Sequence, residues 1–310
     1  MAINYIESAA IFQEACNQQM IAGATSGWME DNIDTKRIKY NGGAEVKVPS
    51  ITTDGLGNYD RGKGYPKGKV ELTYETKVLT KDRGKQFLLD NMEVDESNFN
   101  IEASSLMSKF QTTHVIPEVD AYRYSTIYQN VKAGNAAGIK GYTPAASTIL
   151  SKLRYDIASI QDEIGDGIPL VIIMPVLVGN IFDESTQLQK YIGTTDFTKG
   201  NINMKVKALD GEIPIIRVPS ARMKTAYDYF GDDSITEQKS GFAPAADAMQ
   251  MNWIVCPRSV PMAVSKTDKV KIVPDPEDYD GWKVNYRKFH DMWVLENDIS
   301  TIRICTDATT

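Results

Sequence analysis

The sequence is poor in the residues on which much enzyme chemistry depends. Its 310 residues contain only two histidines, His114 and His290, and three cysteines, Cys16, Cys256 and Cys305. Zinc hydrolases and serine or cysteine triads rely on histidine, so two isolated histidines argue against those enzyme classes. Three widely spaced cysteines without a C-x-x-C pair argue against a disulfide framework and indicate a reducing compartment.

Positive charge is scarcer than negative charge. The chain has 34 Lys and Arg against 41 Asp and Glu, a net charge of −7. Phosphate binding needs clustered Lys and Arg, so this balance disfavours a dedicated nucleic-acid binder, although an acidic chain can enclose DNA that another machine forces in. The most apolar run, from Ile168 to Phe182, is about five residues short of a bilayer span. It contains Pro169 and Pro175, and we interpret it as a buried strand with no membrane role.

No nucleotide or hydrolase motif is complete in the sequence. The segment GKGYPKGK, from Gly62 to Lys69, fails the Walker pattern because its glycines are one residue too close and Val70 replaces Ser or Thr. The segment PDPEDYD offers paired carboxylates but lacks EF-hand spacing, which favours a solvated acidic loop over a calcium site. We therefore predict no cofactor, no metal and no catalytic residue; a hydrolase using two carboxylates stays open as a weak alternative.

A long β-hairpin is predicted between residues 44 and 90. Its ascending arm, AEVKVPSI, and its descending arm, KVELTYETKVL, place apolar residues near a period of two. The glycine-rich connection DGLGNYDRGKGYPKG has about 15 residues, where compact hairpins use 2 to 5. A hairpin of this kind is marginally stable by itself in water, so we expect it to rest on another surface.

The remaining pattern predicts an α+β chain. Residues 1 to about 32 form an arm with a partial amphipathic stripe, which packs either on another molecule or on the chain's own core. A helix of about 35 residues, roughly 50 Å long, is predicted from residue 97 to about 132, with a kink at Pro117. Further predictions are a helix over 144–164, a buried strand near 169–178, a polar loop through Gly200, a strand over 212–218, a loop over 228–245 and strands in the rest.

Two segments of opposite charge stand far apart in the sequence. Residues 60–69, at the hairpin tip, carry a net charge of +3, and residues 268–280 carry −3. Opposite patches on one chain can meet between copies of that chain and set their register; coincidence is the other interpretation. The basic residues are Arg61, Lys63, Lys67 and Lys69, and the acidic ones are Asp275, Glu277, Asp278 and Asp280.

The order of arm, extended hairpin, long helix, mixed middle and closing strands resembles the tailed-phage major capsid protein, the Johnson fold. The local sequence resembles that of this family over nearly the whole chain. YETKVLTKDRGKQFLLDNMEVDESN resembles the descending extended loop and the start of the spine helix. VIPEVDAYRYS resembles the spine helix in phages of Gram-positive hosts. LDGEIPIIRVPSARM resembles an axial-domain strand, and MNWIVCPRSVPMAVSK and YRKFHDMWVLENDISTI resemble closing peripheral-domain strands.

The resemblance implies a division of the chain. It assigns 1–43 to an N-terminal arm, 44–90 to the extended loop, 91–135 to the peripheral domain with its spine helix, 136–255 to the axial domain and 256–310 to the closing strands of the peripheral domain. It also implies a structural, non-enzymatic subunit. Such subunits form pentamers and hexamers of an icosahedral phage head, which encloses double-stranded DNA without sequence-specific binding.

The family also supplies expectations about partners. The chain starts at the arm and keeps Met1, without the roughly hundred-residue leader of relatives with a built-in scaffold. We therefore expect a separate scaffolding protein, a portal, and assembly in the host cytoplasm into the virion capsid. No matching Asn or acid motif predicts covalent Lys–Asn cross-links. An encapsulin-like nanocompartment shell, which shares the fold and holds cargo protein, is the main alternative.

Overall fold

The computed structural model describes residues 23–32, 39–40, 45–62, 64–90, 106–185, 192–199, 202–230, 240–274 and 281–308. The helices are α1 (Ile116–Gly134), α2 (Ile149–Ile164) and α3 (Val176–Asp183). The strands are β1 (Lys39–Tyr40), β2 (Glu45–Thr53), β3 (Val70–Val78), β4 (Lys81–Asp90), β5 (Ile139–Gly141), β6 (Leu170–Pro175), β7 (Ile192–Lys199), β8 (Ile202–Leu209), β9 (Ile213–Val218), β10 (Tyr227–Phe230), β11 (Gly241–Pro244), β12 (Met251–Pro257), β13 (Met262–Pro274), β14 (Gly281–Trp293) and β15 (Arg303–Thr306).

A mixed seven-stranded sheet, ordered β5-β15-β12-β6-β9-β8-β7, forms the centre of the molecule. Every residue of β6 and β12 is buried, because both strands are apolar on both faces and sit inside the sheet. One core lies between this sheet and α1 and contains Trp28, Tyr124 and Ile254. A second core lies between the sheet and α2 and contains Leu153 and Trp253.

The long helix is continuous but irregular. Residues 106–110 are α-helical, Gln111–Val115 form a π-helical turn, and α1 follows directly. Pro117 falls in the first turn of α1 and lacks the N–H that an α-helix interior uses. The kink predicted at Pro117 therefore takes the form of a π-helical turn shortly before the proline. The start of the predicted helix, residues 97–105, lies outside the described residues.

Two smaller three-stranded sheets flank this helix and the central sheet. The sheet β13-β14-β4 packs against the long helix through Val284 and Tyr286, which contact Met107 and Phe110. The sheet β1-β2-β3 contains the predicted hairpin, with Ile51 opposite Leu72 and Pro49 opposite Tyr74. After β3, the chain turns at 79–80 and β4 pairs with β14, so the two arms of the hairpin end near residues 45 and 78.

Several local predictions need correction. The buried strand near 169–178 ends at Pro175, and α3 begins at Val176, because the proline starts a helix readily but cannot continue a sheet ladder. The predicted polar loop through Gly200 contains β7, which pairs with β8. The predicted loop over 228–245 includes the paired strands β10 and β11 at its two ends. The predicted helix over 144–164 begins at Ile149.

The predicted strand over 212–218 is confirmed by β9, and the late strands are confirmed by β12, β13, β14 and β15. Of the helices that the structure describes, none combines the length and the apolar character needed to cross a bilayer.

Candidate intersubunit surfaces

The hairpin has two faces of different character, fixed by the register of β2 and β3. Residues opposite each other in an antiparallel pair lie on one face. The outer face, as we call it, is defined by the pairs Ile51–Leu72 and Pro49–Tyr74, with Val70 and Val78 on the same face. The base face is defined by Val46 and Val48, which pair with Lys77 and Glu75.

The base face holds the hairpin to the rest of the chain. Val46 and Val48 are buried with Leu79 and Met262 in one apolar cluster. Phe289 and Trp293 of β14 pack against the same cluster. The hairpin is therefore fixed at its lower end by the sheet β13-β14-β4, and its upper part extends beyond this contact.

The outer face is apolar and uncovered. The side chain of Ile51 is 66% exposed and that of Val70 is 72% exposed. Eight of the thirteen large exposed apolar side chains among the described residues lie on this hairpin and its tip. These are Ile51, Leu56, Tyr59, Tyr65, Val70, Leu72, Tyr74 and Val78. A concentration of exposed apolar side chains on one element is typical of an interaction site.

The basic tip sits at the end of this surface. A tight turn joins Asp60 to Gly64. Gly64 has a φ of 79°, a backbone conformation that favours glycine. Arg61, Lys67 and Lys69 are exposed. Lys69 forms an ion pair of 3.1 Å with Glu71, a fully solvated contact that adds little stability.

The remaining predicted contact residues lie outside the described part of the chain. Lys63 falls in the tip, and Asp275, Glu277, Asp278 and Asp280 fall in the connection between β13 and β14. The structure thus places three of the four basic residues on an exposed tip and leaves their pairing with the acidic segment a prediction.

The segment 23–32 is locked to α1 by a buried carboxylate. Asp120 is fully buried and accepts hydrogen bonds from the backbone N–H and hydroxyl of both Thr25 and Ser26, at 2.6–3.1 Å. Arg222 adds an ion pair of 3.1 Å. Trp28 and Met29 are fully buried nearby. Residues 23–32 therefore dock on the chain's own core, whereas the amphipathic stripe, on which the two interpretations of the arm differ, lies outside the described residues.

A second polar cluster joins β4 to α1 and to the β10–β11 pair. Arg83 donates to both carboxylate oxygens of Glu118, at 2.7 and 3.4 Å, and to the carbonyls of Phe230 and Gly241. One guanidinium therefore ties a strand, the long helix and both strands of the β10–β11 pair. Composition alone gives no sign of this role; the planar five-donor fork of arginine is what makes it possible.

His290, Cys256 and Cys305 are of types that often take part in catalysis, but all three are buried inside the fold. Burial, helped by Arg123 and Lys288, holds the pKa of His290 well below its ordinary value. Burial also raises the pKa of Cys256 and of Cys305 to about 12, which keeps both thiols protonated and unreactive. Within the described ranges, no three His, Cys, Asp or Glu residues converge as a metal site would require.

Comparison with known proteins gives a consistent answer for the fold. No family model and no curated protein matches the sequence. Among solved structures, the mature capsid of bacteriophage PhiM1 matches with a TM-score of 0.55 and 10% identity, over 87% of this chain and 84% of that one. The capsid of Staphylococcus phage Andhra gives 0.52 and 8% identity, over 86% and 81%.

A cyanophage capsid agrees with these two. The capsid structure of cyanophage P-SCSP1u matches with a TM-score of 0.50 and 12% identity, over 86% of this chain and 84% of that one. At identities this low the likeness concerns the arrangement of the backbone. The chain has the α+β fold of the tailed-phage major capsid proteins.

Proposed function

We propose that this chain is a structural subunit of a bacteriophage head, without catalytic activity. The observation that carries the proposal is the outer face of the hairpin, an apolar surface that stays exposed in the described part of the chain. Exposing such a surface to water is unfavourable by about 25 cal/mol per Å². A neighbouring subunit that covers it recovers this free energy, and the capsid fold supplies the geometry in which many copies meet.

In this proposal the copies form pentamers and hexamers of an icosahedral shell around double-stranded DNA. A separate scaffolding protein and a portal assist assembly in the host cytoplasm, and the host is a Gram-positive bacterium. The domain boundaries given by the resemblance, at residues 43, 90, 135 and 255, belong to the same proposal. So does the absence of a cofactor or metal.

The basic tip gives the proposal an electrostatic component. Arg61, Lys67 and Lys69 are exposed at the end of the hairpin, and Lys63 belongs to the same segment. We assign their partner to an acidic surface of the neighbouring subunit that includes Asp275, Glu277, Asp278 and Asp280. Complementary charge at such a contact sets register and assembly rate more than affinity, so Lys67→Glu in a multiply reversed tip should slow shell formation.

The decisive experiment is negative-stain electron microscopy of the purified chain, alone and with its candidate scaffold, for the wild type and two hairpin variants. Ile51→Lys places a charge on the outer face and should abolish closed shells. Thr52→Lys places the same charge on the opposite face of the same strand, facing Glu71, and should leave shells intact. Both positions are exposed, so the fold of each variant is preserved, as circular dichroism can verify.

The outcome also separates the alternatives. Shells that contain a protein cargo and no nucleic acid would replace the phage head with a nanocompartment. A chain that stays monomeric with and without scaffold would leave the outer face unexplained and would contradict the proposal. Equal loss of shells in both variants would show that the apolar face is not the contact.

A further inference from the structure

A cavity lies on the α2 side of the central sheet, beside the edge strand β5. Its volume is about 440 Å³, and ligand sites commonly enclose about 300 to 1,000 Å³. Residues of β5, β12 and β15 form one wall, and residues of α2 form the other. Three aromatic residues, two lysines and one carboxylate give the cavity its chemical character: Tyr142, Tyr155, Trp253, Lys140, Lys152 and Asp156.

The inner part of the cavity is aromatic, and its polar atoms already have partners. Trp253 is buried, and its ring centre lies 5.6 Å from that of Tyr142. The indole N–H of Trp253 donates to Asp156 at 2.9 Å. The hydroxyl of Tyr142 accepts from the backbone N–H of Ala145 at 3.1 Å and shares a hydrogen bond of 2.8 Å with Thr148. This part of the cavity therefore suits an apolar ring that needs no hydrogen bond.

The mouth of the cavity is positive. The side chain of Lys140 is 44% exposed; its ammonium pairs with Asp156 at 3.3 Å and lies 4.4 Å from the ring centre of Tyr155. Lys152 is exposed one helical turn before Asp156. Asp307, which follows β15, is exposed and does not line the cavity. Two lysines against one carboxylate leave the described lining with a net charge of +1.

The free hydrogen-bonding capacity at the mouth selects the sign of a ligand. An ammonium has three donors, and Lys140 directs one of them to Asp156. Its other donors and those of Lys152 suit an anion. A cation would meet both lysines, and the carboxylate that could receive it is already held by Lys140 and Trp253. A singly charged anion with an apolar ring therefore matches both parts of the cavity.

We infer that this cavity binds an aromatic carboxylate, with the ring beside Trp253 and Tyr155 and the carboxylate between Lys140 and Lys152. Aromatic rings that pack edge to face or offset against one another gain free energy beyond the burial of their area. The site belongs to the single chain, so the inference does not depend on the proposed function. A free small molecule or a peptide with an aromatic residue next to an acid can supply this chemistry.

The test is fluorine NMR of 4-fluorophenylacetate titrated with the purified full chain. The uncharged amide of this probe keeps the ring and should bind about 25-fold more weakly, because each lysine at about 4 Å from the charge contributes about a fivefold factor in water. Lys152→Gln should weaken binding of the acid about fivefold and leave binding of the amide unchanged. Tyr155→Ala, at an exposed position, should weaken binding of both.

Lys132→Gln is the matched control, because Lys132 is exposed on α1, which packs on the other side of the central sheet. It should change neither affinity, and circular dichroism verifies that each variant keeps the fold. Equal affinities for the acid and the amide would overturn the inference. Equal losses in the Lys152→Gln and Lys132→Gln variants, or no binding of the acid by the wild type, would overturn it as well.

A competing peptide identifies the source of the carboxylate. The blocked dipeptide acetyl-Asp-(4-fluoro-Phe)-amide presents the ring next to an acid without free chain ends. If it binds more tightly than 4-fluorophenylacetate, the site belongs to a protein partner; if it binds more weakly, the site belongs to a small molecule. Either order supports the inferred chemistry.

Discussion

Replacing Asp120 by alanine should strongly destabilise the subunit. Asp120 is fully buried and receives two backbone and two hydroxyl donors from Thr25 and Ser26, together with Arg222. Arg222 is 20% exposed and can be hydrated, whereas Ser26 is fully buried and cannot. Breaking a buried charged network from one side costs about 3–5 kcal/mol, and we expect a loss in this range.

The assay is equilibrium urea unfolding of the unassembled subunit, followed by circular dichroism and tryptophan fluorescence. Trp28 is fully buried next to this network, so release of the segment 23–32 changes its emission. Asp210→Asn is the matched control, because the Arg154–Asp210 pair at 2.9 Å is 41% and 47% exposed and should contribute at most about 1 kcal/mol. Equal losses in the two variants would refute the reasoning that burial makes the Asp120 network strong.

Three further predictions concern partly or fully buried groups. Burial raises the pKa of Glu30, but the attraction of Arg123 and its neighbours outweighs burial, so the net shift of the pKa is downward. The stabilisation from this carboxylate is present above the ordinary carboxylate pKa and is lost as pH falls through the lowered value. In Glu30→Gln, the urea midpoint should therefore depend less on pH between pH 7 and pH 3.5. In a Cys16→Ser background, Cys256 and Cys305 should react with a thiol reagent at pH 8 only at the rate of unfolding, because burial raises each pKa to about 12; rapid labelling of native protein would contradict this. Arg83→Lys keeps the charge but loses the fork that reaches Glu118, Phe230 and Gly241, so amide hydrogen exchange should accelerate in β10 and β11 and stay unchanged in β12.

The sequence predicts elements best where local chemistry and burial agree. β12 and β9 carry strong apolar and β-branched signals, and both occupy the interior of the central sheet. β7 was missed because its sequence, IGTTDFTK, has little apolar periodicity, and its pairing with β8 stabilises it. The change from β6 to α3 was missed because a continuous apolar run has no period that separates strand from helix.

The candidate surfaces show the same contrast between what local sequence patterns predict and what the packing of the strands adds. Val46 and Val48 lie an even number of residues apart in β2 and Ile51 lies an odd number from both, so Ile51 points to the opposite face of the strand. The two faces of the hairpin can therefore be read from the sequence once the register is known. That Lys269 stands opposite Arg287 depends on the register of β13 and β14. The overall charge, which is negative, gives no sign of this pair, since composition averages over surfaces that the fold separates.

Local sequence patterns are sufficient to predict the α+β class, the order of arm, hairpin, long helix and closing strands, and the scarcity of residues for catalysis. These follow from local periodicity, turn residues and composition, which act over a few residues. The packing of the elements, in contrast, places Thr25 and Ser26 against Asp120 and brings α1, β10 and β11 to Arg83. Contacts between residues roughly 20 to more than 200 positions apart depend on how the elements pack, and no local pattern encodes them.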